Sequence, residues 1–181
     1  MESLGVIELN SIAAGIETGD ALLKTADVTL VAAQAVCAGK YIIMIRGNVA
    51  AVKSSVEAGR EIAGSNLVDS LIIANVHTQV FRAIHATSEI QRNQALGVIE
   101  TYSLASCIHS ADEAAKSADV TLVEIRLGRG LGGKSFVVLT GEVSSVREAV
   151  KNGIAASGSE GMIARTCVIP APHPELIQAI L

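Results

Sequence analysis

The sequence predicts an α/β (α+β) protein made of two tandem copies of one β-α-β-β-α-β unit. Two observations carry this. The first is an internal repeat: Leu4-Gly5-Val6-Ile7-Glu8 returns as Leu96-Gly97-Val98-Ile99-Glu100, a shift of 92 residues, and the ADVTLV of residues 26–31 returns unchanged at 118–123. Ser11, Ala13, Ile16, Asp20 and Lys24 recur in register as Ser103, Ala105, Ile108, Asp112 and Lys116. The second is that β-branched runs and helical periodicity alternate in the same order in both copies.

Each element follows from its residues. Residues 4–9 read as a strand, and 11–26 as an amphipathic helix whose N-cap is Ser11, because a hydroxyl there accepts an N–H that the first turn leaves unpaired. Residues 28–35 and 41–46 are apolar or β-branched runs flanking a short glycine-containing loop, hence paired strands. Asn48 caps a second helix, with Val49, Val52, Val56 and Ile62 as its apolar face and Gly64 near its end. Residues 67–74 make a fourth strand, followed by a short helix around 80–84. This order is the ferredoxin-like split unit, with helices on one face of an antiparallel sheet. In the second copy the loop between the paired strands is two residues longer. Gly39-Lys40 then aligns with Gly133-Lys134, Gly47 with Gly141 and Gly64 with Gly158, and the tails rejoin at His77 and His173. The polar stretch 88–93 has neither periodicity and reads as the linker between domains at 1–90 and 94–181.

Composition narrows the function. Half the residues are hydrophobic and mean hydropathy is +0.46, yet no run reaches the ~18–20 apolar residues of a membrane-spanning helix. With 2% aromatics, the apolar surface is mostly Ala, Val, Ile and Leu, which suits packed elements and large subunit interfaces. An obligate oligomer is expected. A net charge of −4 and no basic run argue against nucleic acid or an anionic membrane as partner. Cys37, Cys107 and Cys167 are odd in number and widely spaced, and no charged-then-apolar leader precedes the first strand, so a reducing cytoplasm is the expected compartment.

Two motifs invite chemistry. Residues 128–135 (GRGLGGKS) satisfy the phosphate-binding pattern G-x-x-x-x-G-K-[ST], which would suggest a nucleotide-dependent enzyme. That pattern needs a helix after the loop so that its N–H groups face the phosphates, and here a strand-like run follows. Cys107 falls on a helix and Cys167 in an apolar strand run, so both are expected to be inert core thiols. Cys37 lies in a loop, where a lone cysteine is most often only a cysteine. His77 and His173 open the short terminal helices and are read as polar helix starts.

The LGVIE strand, Asp20-x-x-x-Lys24, ADVTLV, the glycine loop and a terminal Pro-x-Pro-His together resemble the bacterial microcompartment shell domain, present twice in one chain. Residues 36–40 (VCAGK), 74–77 (ANVH) and 130–134 (GLGGK) are most similar to the iron–sulfur-carrying tandem shell protein of propanediol-utilisation microcompartments. The resemblance implies a pseudohexameric homotrimer tiling a shell facet in the cytoplasm, beside other shell proteins and with no catalytic group. It also implies that Cys37 projects into a central pore. There Cys37 of three chains would hold one [4Fe-4S] cluster per trimer on the three-fold axis, exchanging electrons with an internal or cytosolic redox protein. Val36, Ala38, Gly39, Gly128, Arg129 and Gly130 would form the pore loops. Lys24 and Lys116 would line the edge between tiles. Two departures stand out: Ala38 occupies a position where the family commonly has Pro, and Ala171 one where it commonly has Arg. The same tile with an empty pore would instead be a channel for small polar metabolites.

Overall fold

The computed structural model describes residues 2–87, 94–128, 130–156 and 161–180. The first repeat runs β1 (Ser3–Leu9), α1 (Ile12–Thr25), β2 (Thr29–Val36), β3 (Lys40–Gly47), α2 (Val49–Ala63), β4 (Leu67–Ile73) and α3 (Thr78–Ile84). The second runs β5 (Ala95–Thr101), α4 (Leu104–Ser117), β6 (Val120–Leu127), β7 (Ser135–Gly141), α5 (Val143–Ala156), β8 (Ile163–Ile169) and α6 (Pro174–Ile180). Both sheets are antiparallel and ordered alike, β2-β3-β1-β4 and β6-β7-β5-β8. Even their irregularities correspond, with register shifts at Glu8/Leu9 and Glu100/Thr101 and at Leu30/Ala32 and Leu122/Glu124. This is the expected ferredoxin-like plan, twice. The linker at 88–93 lies outside the described residues.

Caps set the helix starts as the sequence indicates. Ser11 accepts the Ala14 N–H through its hydroxyl (3.3 Å), Asn48 accepts the Ala51 N–H (2.9 Å), and Gly64 ends α2 at φ 50°. The core of the first repeat joins Ile7 and Leu9 of β1 to Ile43 and Ile45 of β3, Leu22 of α1, and Val52, Val56 and Ala63 of α2. The α2 stripe departs from expectation. Val52, Ser55, Val56, Gly59 and Ala63 are buried, whereas Val49 and Ile62 are exposed in the single chain. At 100° per residue Ile62 falls about a quarter-turn off the line through Val52, Val56, Gly59 and Ala63, and Val49 sits in the first turn.

The compact units of the chain are not the sequence repeats. One unit holds the first repeat up to Val76 together with Ser103–Ala105 and the glycine segment 128–133, and the other holds the rest. Helix α3 thus belongs to the second unit, where it packs on β6. Its Gln79 amide clamps that strand, donating to the Val120 carbonyl (3.1 Å) and accepting the Leu122 N–H (2.7 Å). Also in the second unit, Ile177 and Ile180 of α6 pack against the buried cluster of Leu96, Val123 and Val138.

Glycines let the helices lie close on both sheets. A Cβ on Gly5 would stand 2.7 Å from Val56 and 2.9 Å from Val52, and one on Gly97 2.7 Å from Leu139 and 2.9 Å from Val146. Such overpacking costs about 1–3 kcal/mol, which outweighs the better strand propensity of alanine. Gly97→Ala should therefore lower the melting temperature without changing the far-UV circular dichroism of the folded chain, and an unchanged or raised melting temperature would contradict this packing.

Candidate functional site

Cys37 opens a single 3-10 turn, Cys37–Gly39, between β2 and β3. Ala38 (φ 62°) and Gly39 (φ 71°) are both left-handed there, a conformation that costs a non-glycine residue about 1–2 kcal/mol. Something must hold the turn. Within the first unit the glycine segment does so: Cys37 N–H donates to the Gly128 carbonyl (2.7 Å), and Gly130 N–H donates to Cys37 Sγ. Gly128 (φ 61°) and Gly130 (φ 72°) are themselves left-handed, and a Cβ on Gly128 would stand 3.2 Å from Val36. The second-repeat glycines thus brace the first-repeat cysteine, a relation no local sequence signal carries. Arg129 lies outside the described residues. Proline, fixed near φ −65°, cannot take the conformation of Ala38 at φ 62°.

The other end of the turn is tied to a buried charge. Lys40, the first residue of β3, pairs with Glu8 (2.8 Å), whose side chain is fully buried. Glu8 also accepts the Leu104 N–H (3.0 Å), and the single proton of the Ser103 hydroxyl goes to Asp69 and is shared at longer range with Glu8 (3.4 Å). The repeat counterpart, Lys134 with Glu100 (2.7 Å), is half-exposed. There the hydrogen bond and charge of Glu100 raise the Lys134 pKa. Lys134 is followed at once by β7, so no helix N-terminus faces the glycine loop and the phosphate-binding pattern lacks its physical basis.

The remaining candidates separate. Cys107 is buried, and burial pushes its thiol up to about 12. It aligns with Gly15, over which Tyr41 lies, whereas the counterpart of Tyr41 is Ser135, so a smaller strand residue leaves room for a cysteine. Cys167 corrects the expectation of a core thiol, since it is exposed. It sits opposite Val98 on the sheet face that lines a cavity of about 420 Å3, with Glu100, Arg126, Phe136, Arg165 and Ile180. An apolar run does not say which of its faces is covered.

Lys24 is exposed and pairs with Asp20 (2.5 Å). Lys116 is less free: it pairs with Asp112, which is fully buried and also accepts the His77 N–H (2.7 Å). His77 and His173 act as helix starts, each Nδ1 accepting an N–H two residues on. Among the described residues, no group of three or more His, Cys, Asp or Glu side chains is placed to hold a metal, and no helix is long and apolar enough to cross a membrane.

The chain is thus a repeated split βαββαβ unit with LGVIE at each first strand and one cysteine on the turn between β2 and β3. The model for the BMC domain matches residues 3–76 and again 95–172. The chain belongs to the bacterial microcompartment shell family. This tandem shell protein is 41% identical over 175 residues to the bacterial microcompartment shell protein PduT of Citrobacter freundii, covering 97% of this chain and 95% of that one. It is 31% identical to the carboxysome assembly protein CcmO of Synechococcus sp., over 98% of this chain and 68% of that one. A crystal structure of a microcompartment protein from Desulfitobacterium hafniense DCB superposes with a TM-score of 0.89 at 52% identity, covering 98% and 99% of the two chains.

The burial of Cys107 makes a signed prediction. The unfolded chain loses this proton near the ordinary cysteine value while the folded chain keeps it to about 12, so stability should fall as pH rises through that window, by about 1.4 kcal/mol per unit at most. Cys107→Ala should flatten this dependence in urea melts between pH 8 and 10, and an identical slope in both proteins would refute it.

Proposed function

We propose that this shell protein is a homotrimeric facet tile of a microcompartment in the cytoplasm, with one [4Fe-4S] cluster held by Cys37 of three chains on the three-fold axis. The tile rests on one observation. Matching residues of the two repeats are unequally covered in the single chain. Ile16, Leu30 and Leu176 are 59%, 43% and 43% exposed, and their counterparts Ile108, Leu122 and Val80 are all 0% exposed. Sequence is shared, so the difference lies in what covers each position. A second copy laid head to tail would cover the bare set, and three chains give the six repeats of a closed ring.

The cluster reading is supported by the chemistry at Cys37. This thiol alone lies on a turn, half-buried, with a backbone N–H on its sulfur, the kind of donor that surrounds cluster thiolates. When bound, the cluster supplies one-electron chemistry. The chain's own part is to present the sulfur, brace it through Gly128 and Gly130, and leave the fourth iron to another ligand. Such a centre would pass electrons across the shell to a redox protein. Anaerobically prepared protein should carry about four irons per three chains. Cys37→Ser should lose most of the iron and the broad visible absorption while remaining trimeric, whereas Cys107→Ser and Cys167→Ser should keep both. Iron-free wild type, or full retention in Cys37→Ser, would leave an open metabolite channel as the reading.

The tile edge is proposed at Lys24 and Lys116. Lys24→Glu should abolish two-dimensional arrays in electron micrographs at unchanged melting temperature, because an exposed substitution costs within about 0.5 kcal/mol. Lys116→Glu should also lower the melting temperature, since it sets a carboxylate beside buried Asp112. Arrays that persist in Lys24→Glu would move the edge elsewhere.

A further inference from the structure

The second unit contains a counterpart of the Glu8 site that the described residues of its own chain do not complete. In the first unit Glu8 accepts the N–H of Leu104, the first residue of α4. The counterpart carboxylate, Glu100, pairs with Lys134 at the wall of the 420 Å3 cavity. The counterpart of Leu104 is Ile12, the first residue of α1, whose N–H has no acceptor within its own helix. We infer that Glu100 of one chain caps α1 of a second copy, its carboxylate accepting the Ile12 N–H, with the start of α1 seated in the cavity. The inference rests on the tile reading above.

Charge fits this occupant. The first turn of α1 has no acidic residue of its own, so the partial positive charge of its N–H groups is free to meet a carboxylate. A second joint runs in parallel. His77 N–H donates to Asp112 in the second unit, and the matching pair is His173 N–H with Asp20, which is exposed and bonded only to Lys24 among the described residues. One substitution distinguishes the joint between chains from that within a chain. Ser103 donates its hydroxyl to Asp69, whereas the counterpart of Asp69 is Arg165, to which the Ser11 hydroxyl must act as acceptor. The two joints therefore share a plan and differ in polarity at one contact, which keeps the start of α4 from competing for the seat of α1.

Proline tests the proposed hydrogen bond cleanly, since at the first helical position it is tolerated and removes the N–H in question. Ser11, at φ −136° and ψ 128°, already has the extended backbone that a following proline requires. Subunit exchange between differently labelled full-length trimers is the measurement. Glu100→Ala should speed exchange at least tenfold, and Ile12→Pro should do so relative to Ile12→Ala, with circular dichroism unchanged. The Glu100→Ala, Ile12→Pro double variant should exchange no faster than the quicker single one. Trimers whose exchange is unaffected, or in which the two effects multiply, overturn the inference and leave the tile standing, with the cavity open to another occupant. A monomeric wild type overturns both.

Discussion

A carboxylate fully buried on a sheet face must be given donors, and the Glu8 site is organised by that demand. Its three donors come from β3, from Ser103 and from the first N–H of α4, so one charge fixes strand pairing and the start of a distant helix together. Removing one partner from such a buried pair typically costs about 3–5 kcal/mol, as much as truncating a large core side chain. Lys40 is also the residue that closes the Cys37 turn. The buried charge therefore pins one end of the turn while the Gly128 carbonyl pins the other, and the left-handed Ala38 is sustained between them.

Fusion of two copies allows the matching positions to diverge, and some divergences change the chemistry of a contact. Asp69 is replaced by Arg165, Gln79 by Glu175, and Cys37 by Leu131, while the first strands remain nearly identical. The last of these bears on the proposed trimer. There six identical repeats would bring six thiols to the axis, whereas three fused pairs would bring three. Three is the number of cysteine ligands that leaves one iron of a cubane cluster open to another donor.

The fold was legible because every element is written twice, with caps at Ser11 and Asn48 and a glycine at the end of α2. What remained hidden depends on contacts far apart in sequence. The exposure of Cys167, and of Val49 and Ile62, could not be read from periodicity, which marks an apolar face but not whether anything lies on it. Lys24 and Lys116 look equivalent in sequence and differ in the chain, because Asp112 is buried and bonded to the His77 amide while Asp20 is exposed and, among the described residues, bonded to Lys24 alone. Cys37 could be singled out as a loop cysteine. Its brace could not, since the donor on its sulfur lies 93 residues away.

That brace also explains why a phosphate-binding pattern occurs in a shell protein. Both uses need a backbone N–H turned toward an electron-rich atom, and glycine takes the left-handed conformations that turn it so at least cost. Gly128, Gly130, Gly132 and Gly133 all lie between φ 60° and 87°. In a nucleotide site a following helix adds its own N–H groups and dipole, and a phosphate becomes the preferred guest. Here a strand follows, the dipole is missing, and one N–H meets a sulfur. The glycine spacing records the shape of the loop, and the element after it decides what the loop can hold.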